Sequence, residues 1–271
     1  MTESIRQEHK GTWARWRLGW KTASNRRELR QRSADLASLV DKIPPRIQQL
    51  WLERINEDMP GWRPDEADWL LAAGALLQFF DSCKEQSDKG ECALPSRAAD
   101  SVWHLWLKHE PAGLAAFQQQ HFGIVLPHVE RAEMQAPLDQ SLSRCWVAAC
   151  RNEGLSPLGR KLPLLFAADR LLKAPNGWAY RFGGYGSQLF HQDQDERGRP
   201  VGRPSPHPAM GVAAMAGLGL LSYEEIAMAE RRKAMSDGGS GGSSCGSSSS
   251  CGDGGGGCSC GSSCGGGGCG S

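Results

Sequence analysis

The sequence, 271 residues long, has no apolar stretch of membrane-spanning length. Its longest uncharged apolar run, 209–221, covers thirteen residues and includes three glycines, whereas a spanning helix takes about 20. The first ten residues are polar and no hydrophobic segment of the secretory kind follows them. A cytoplasmic location with reduced thiols is therefore expected. Outside the glycine-rich last thirty-six residues, where such strings arise from composition alone, the chain has no G-x-S-x-G, Walker loop or dinucleotide fingerprint, and it has no C-x-x-C or H-x-x-x-H anywhere. Those absences take away the usual sequence signs of nucleophilic hydrolysis, nucleotide binding and a structural zinc knuckle. A net charge of +1 gives no strong nucleic-acid signal.

Variety is lacking most of all at the C-terminus. Residues 236–271 consist of 16 Gly, 12 Ser, 6 Cys and 2 Asp, with no aliphatic, aromatic or basic side chain. A segment with nothing apolar to bury reads as a disordered tail. It nevertheless holds six of the ten cysteines, and thiols oxidise and bind metals. The first reading is a solvated extension for interaction or self-association. The second is adaptable binding of zinc or copper, where Cys258 and Cys260 form a C-x-C pair. The third makes the tail a substrate for Ser/Cys heterocyclisation, since small flexible neighbours leave the carbonyl before each nucleophile unhindered.

Charge is concentrated at the other end. Residues 1–34 carry nine Lys/Arg against three Glu. Within them Trp13, Trp16 and Trp20 share a helical stripe interleaved with Arg15, Arg17 and Lys21. Such a stripe either meets a membrane surface or partner, or docks on the core; docking is the simpler expectation. Helical periodicity then continues over 26–40, 46–58, 69–80, 97–108, 112–121, 138–152 and 162–173, with Asp65 and Ser96 placed as N-caps. Segment 69–80 is apolar nearly all round, which predicts the central helix of a bundle. Trp178, Tyr180 and Phe182 alternate with Ala179 and Arg181, predicting a strand that turns at Gly183-Gly184-Tyr185-Gly186. Residues 192–208, rich in Pro, Gly and Arg, read as a mobile loop. Ser222 and Glu225 have capping-box spacing before a last helix.

Four of the seven histidines, His104, His109, His121 and His128, fall within twenty-five residues. Asp100, Val102, Trp103 and His104 spell D-x-V-W-H; Phe117, Phe122, Gly123 and His128 follow. This stretch of about thirty residues, with the Gly/Cys tail, resembles the glycine-rich-domain-containing protein family. The resemblance implies a helical fold and little chemistry. Where plant-like members have a second His, Trp106 stands here, and where a Cys commonly follows the Phe there is Gln118. A metal site using either of those ligands would be impaired. From the residues themselves, His104 and His128 are candidate metal ligands and Asp100, one helical turn before His104, could complete or orient the site. His104 with Asp100 is also the weak candidate for an acid–base pair. Against both stands a structural role, in which Trp103 fills the core and His104 ties two helices together.

The sequence thus predicts a mainly α protein, an irregular helical bundle with a short β-hairpin near 178–190 and a disordered tail. Its expected parts are a basic Trp-containing segment over 1–25, a helical domain over 26–235 with the resembling element at 99–130, and the tail at 236–271. The leading functional expectation is a cytoplasmic, non-enzymatic protein that uses its tail for interaction or scaffolding with protein partners or itself. Metal handling by tail thiols or by His104 and His128 is the alternative, followed by tail modification and by an enzyme using His104 and Asp100.

Overall fold

Asp65 starts the helix around which the others assemble. Its extended backbone and carboxylate cap the amides of Ala67 and Asp68, while the Asp68 side chain accepts from the Asp65 amide, closing a reciprocal box. In the computed structural model this helix, α4 (Glu66–Glu85), is buried on every side from Trp69 to Phe80, as its apolar periodicity predicts. The structure describes residues 2–129, 133–182 and 189–237. Before α4 come α1 (Thr2–Arg32), α2 (Ala34–Val40) and α3 (Pro45–Asp58). After it come α5 (Arg97–His109), α6 (Pro111–Phe122), α7 (Leu138–Asn152) and α8 (Leu164–Leu172). All except α7 and α8 precede the histidine element or contain it. Every one of these seven packs on α4.

A three-stranded antiparallel sheet of order β1-β2-β3 follows, from β1 (Trp178–Phe182), β2 (Leu189–Asp193) and β3 (Ser205–Pro206). Trp178 pairs with Asp193 and Phe182 with Leu189. The chain ends its described part with α9 (Val212–Gly217) and α10 (Tyr223–Asp237). The described residues as far as Arg232 form one compact unit. The mainly helical fold with a small hairpin is as the sequence predicts, and Ser222 with Glu225 makes the expected box. The turn placed at Gly183-Gly184-Tyr185-Gly186 and nearly the whole tail, Cys258 and Cys260 included, lie outside the described residues.

Three expectations are corrected. The helix read over 26–40 is two helices. α1 runs unbroken to Arg32, and Ser33 then adopts an extended conformation (φ −156°) and caps α2 through its hydroxyl. The tryptophan stripe does not dock: Trp13, Trp16 and Trp20 are 61, 64 and 68% exposed. α1 uses another face, where Lys21 pairs with Asp65 and Asp68, Asn25 donates to the Ala67 carbonyl, and Leu29 is buried. Residues 192–208 are not a free loop, because they carry β3 and a bridge from Gln194 to Pro200. The reason is the buried Gln194 side chain, whose amide donates to the Gly198 carbonyl at 2.7 Å. An amide removed from water must find such a partner.

Polar groups inside the bundle fix how the helices meet. Gln78 of α4 accepts from the Leu165 amide at 2.7 Å and donates to the Ala149 carbonyl and the Glu153 carboxylate. Glu153 in turn holds Arg32 of α1 at 2.9 Å. Four elements therefore share one satisfied network, and losing any member would strand its neighbours.

Candidate functional site

The N-terminus of α5 is held in place by a carboxylate from another helix. Ser96 caps α5 by accepting from the Ala99 amide. Its hydroxyl donates to Asp169 of α8 at 2.6 Å. Asp169 also accepts from the amides of Arg97, Ala98 and Trp178, each at 3.0 Å. One buried side chain therefore joins α5, α8 and β1. Burial pushes its carboxyl upward, and the four donors pull it back. Gly177 is required beside it, since a Cβ there would come within 2.6 Å of Asp169 Oδ2.

Held at that end, α5 turns Trp103 inward against Phe79 and Phe80, at centroid separations of 5.5 and 5.3 Å. On the outward side stand Asp100 and His104, one turn apart. α6 ends at Gly123, whose left-handed conformation (φ 74°) reverses the chain. The buried Gln118 then accepts from the Leu126 amide, fixing the returning segment so that His128 comes back to α5. Its Nε2 lies 3.2 Å from Asp100 Oδ1, and His104 Nδ1 lies 3.7 Å from Asp100 Oδ2. The two imidazoles are 4.3 Å apart between centroids, and Trp103 packs on His128 at 4.6 Å.

The ligand-capable atoms of Asp100, His104 and His128 all lie within 4.8 Å of one another, and among the described residues this is the group with that property. A tetrahedral ion with bonds of about 2.0–2.1 Å spaces its ligands about 3.3–3.4 Å apart. The 3.2 Å from His128 Nε2 to Asp100 Oδ1 is close to that spacing, while the 3.7 Å from His104 Nδ1 is to the other carboxylate oxygen, Oδ2. His104 is half exposed and His128 mostly covered. Both line a cleft of about 780 Å³ between the end of α4, the α4–α5 loop, α5 and segment 124–129. His104 therefore does not serve as a buried tie between helices.

The other histidines of the cluster stand apart from this group. His121 packs on Phe117 at 4.5 Å, and His109 ends α5. Trp106 is fully buried against Phe117, so even a histidine at that position would point into the core. Helical periodicity over 162–173 does not single out Asp169, nor does anything local single out Cys83 and Cys92, which line the same cleft. An aspartate inside an apolar helical run is the signal that could have found Asp169. Nothing in the spacing of the cysteines marked them.

The fold and site define a helical-bundle protein with a two-histidine, one-carboxylate group at the wall of a cleft. The chain belongs to the UCP032817-like family, whose model matches residues 17–197, about two-thirds of the chain. That match corrects the resemblance to glycine-rich-domain-containing proteins, which rested on about thirty residues and the composition of the tail. The D-x-V-W-H element lies inside the matched region, so its place in the fold belongs to this other family. No curated protein and no solved structure matches the chain.

Proposed function

We propose that the helical domain binds a divalent transition metal of the zinc type through Asp100, His104 and His128, and presents it at the cleft. The observation that carries this reading is the convergence of two imidazoles from separate segments on the two oxygens of one carboxylate. Neutral imidazole and carboxylate are the donors such ions prefer. Three protein ligands beside a cleft leave a fourth position for water or a small ligand, which is the arrangement of a working site. Trp103 behind His128 fixes the ring, and Gln118 fixes the segment that carries it. A cytoplasmic setting, with an interaction role for the Gly/Ser/Cys tail, completes the reading. No helix among the described residues is long and apolar enough to cross a membrane, which agrees with it.

A second reading draws on the same geometry. With His104 half exposed beside Asp100 at the cleft, the pair meets the first requirement of an acid–base device, access to a substrate.

Cobalt(II) titration of the full reduced chain tests the metal reading. Binding at the His/Asp group gives a ligand-field spectrum without sulfur-to-metal charge transfer, whereas tail thiolates give that charge transfer. One equivalent of the nitrogen/oxygen type, lost in His128→Ala and in Asp100→Ala, is expected. A spectrum that is purely thiolate and unchanged by His128→Ala would overturn the assignment.

A further inference from the structure

Four cysteines lie within the described fold, all free: Cys83, Cys92, Cys145 and Cys150. Three of them converge from separate elements. Cys83 is in the last turn of α4, Cys92 in the loop to α5, and Cys145 in the middle of α7. The Cys92 thiol donates to the carbonyl oxygen of Ser82, the residue before Cys83, at 3.8 Å, and the thiols of Cys83 and Cys145 both lie within hydrogen-bonding reach of it. Cys83 and Cys92 open on the cleft, while Cys145 is fully buried behind them.

The loop is pinned in this position. The Ala93 amide donates to the Ser141 carbonyl of α7 at 3.3 Å, and Arg144 donates to the Glu91 carbonyl at 3.5 Å. The Arg144 guanidinium covers Gly90 so closely that a Cβ there would meet its Cζ at 3.2 Å.

This setting makes the three thiols unequal. Hydrogen bonds from Cys145 and then Cys83 bring Cys92 down to about 5 against its burial, with the positive charge of Arg144 assisting. Burial pushes Cys83 and Cys145 well up. Cys92 is thus the most readily ionised of the three, and of the two that open on the cleft it suits the role of nucleophile and Cys83 that of resolving thiol. The three sulfurs do not form a ligand set with the spacing that Asp100, His104 and His128 have, which favours covalent chemistry over a soft-metal site.

We propose that Cys92 is a redox-active nucleophile toward hydroperoxides entering the cleft, with Cys83 as its resolving thiol. The Cys92 thiolate attacks the terminal oxygen of ROOH. The S–O bond forms as the O–O bond breaks, and that oxygen keeps its hydrogen. The products are Cys92–SOH and RO⁻, which takes a proton from solvent and leaves as ROH. The Cys83 sulfur then attacks the Cys92 sulfur. The S–S bond forms, the S–O bond breaks, and the hydroxide takes the thiol proton to leave as water. The two sulfurs together lose the two electrons that the peroxide gains. This site shares the cleft with the Asp/His group and does not depend on it.

The test uses the full chain, reduced and stripped of metal, treated with one equivalent of hydrogen peroxide, then alkylated and digested with trypsin. Cys83 falls in peptide 55–84, Cys92 in 90–97, and all six tail cysteines in 234–271, so mass spectrometry separates them. The expected product is peptide 55–84 joined to 90–97 by a disulfide. In Cys83→Ser, dimedone should trap the sulfenic acid on Cys92; in Cys92→Ser, Cys83 should stay reduced. Native tryptophan emission establishes that each variant is folded. Oxidation confined to the tail peptide, a disulfide from Cys92 to Cys145, or oxidation of Cys83 that persists in Cys92→Ser would each overturn the proposal. Because no metal is present, a failed metal titration leaves this result unaffected.

Discussion

Replacing Asp169 with alanine is the sharpest test of how the cleft is held. The substitution removes the acceptor for four donors: the Ser96 hydroxyl and the amides of Arg97, Ala98 and Trp178. The bonds from Ser96 and Ala98 are buried, and the other two are partly buried. Each fully buried donor left without a partner costs about 1–3 kcal/mol. The two buried donors therefore put the loss at about 2–6 kcal/mol, while water can recover the other two. Relief works in the opposite direction, because burial raises the carboxyl, so the ionised side chain carries an unfavourable desolvation that alanine abolishes. The net expectation is a loss of about 2–4 kcal/mol, a large part of the stability of an ordinary domain. In urea, where small proteins lose about 1–3 kcal/mol per molar, the unfolding midpoint read by tryptophan fluorescence should fall by about 1 M or more. Asp169→Asn keeps one acceptor oxygen but turns an amide toward donors, and should fall between alanine and wild type. A loss below about 1 kcal/mol in Asp169→Ala would refute the view that this carboxylate holds α5, α8 and β1 together.

Three further outcomes follow from other parts of the fold. Gly198 has φ 68°, and a Cβ there would lie 2.0 Å from the Lys173 carbonyl oxygen. Gly198→Ala should therefore cost about 3 kcal/mol or more, because backbone must move. Gly61→Ala, at φ 84° with open space around it, should cost only the left-handed penalty of about 1–2 kcal/mol; equal losses in chemical denaturation would contradict this. His207 is buried, with its proton affinity lowered first by burial and then by His191, whose ring lies 5.6 Å away, against a smaller upward pull from Asp139. A histidine that resists protonation in the fold lets the unfolded chain bind more protons. Stability should thus be full above the unfolded value of about 6.5 and decline as pH falls below it. His207→Gln should flatten the urea midpoint between pH 7.5 and 5, and an unchanged slope would reject the assignment. Finally, Trp51 donates to the Ser101 hydroxyl at 2.9 Å inside the core. Trp51→Phe should lose about 1–2 kcal/mol, whereas Trp16→Phe on the exposed face of α1 should change the midpoint by less than about 0.5 kcal/mol.

Local chemistry made much of this fold legible. The apolar periodicity of 69–80 repeats within a few residues, and the caps Asp65 and Ser96 each stand directly before the helix they start, so their roles follow from spacing. The strand at Trp178–Phe182 was legible from alternation alone. Residues 192–208 were not, because Gln194 is ordered by carbonyls that the fold brings to it. Asp100 and His104 could be paired from the sequence, being one helical turn apart. His128 could only be named a candidate, since its approach depends on the reversal at Gly123 and the bond from Leu126 to Gln118. The exposed stripe of Trp13, Trp16 and Trp20 shows the limit of periodicity. A shared face can be read from spacing, but whether it meets the core depends on which other face binds α4 more strongly.

The sequence by itself determined most of the helices, the capped starts at Asp65, Ser96 and Ser222, the hairpin's first strand and the composition of the tail, because each depends on neighbours within a few residues. Only the tertiary structure decided that Asp169 would cap a helix more than seventy residues away, that two histidines would share Asp100, and that Cys83, Cys92 and Cys145 would meet. Apart from the near pairs Asp100–His104 and Cys83–Cys92, those contacts join residues 24 to 73 positions apart, and no local propensity encodes them. They form because packing around α4 leaves each helix one way to bury its apolar face, and the polar side chains must then find their partners where that packing puts them.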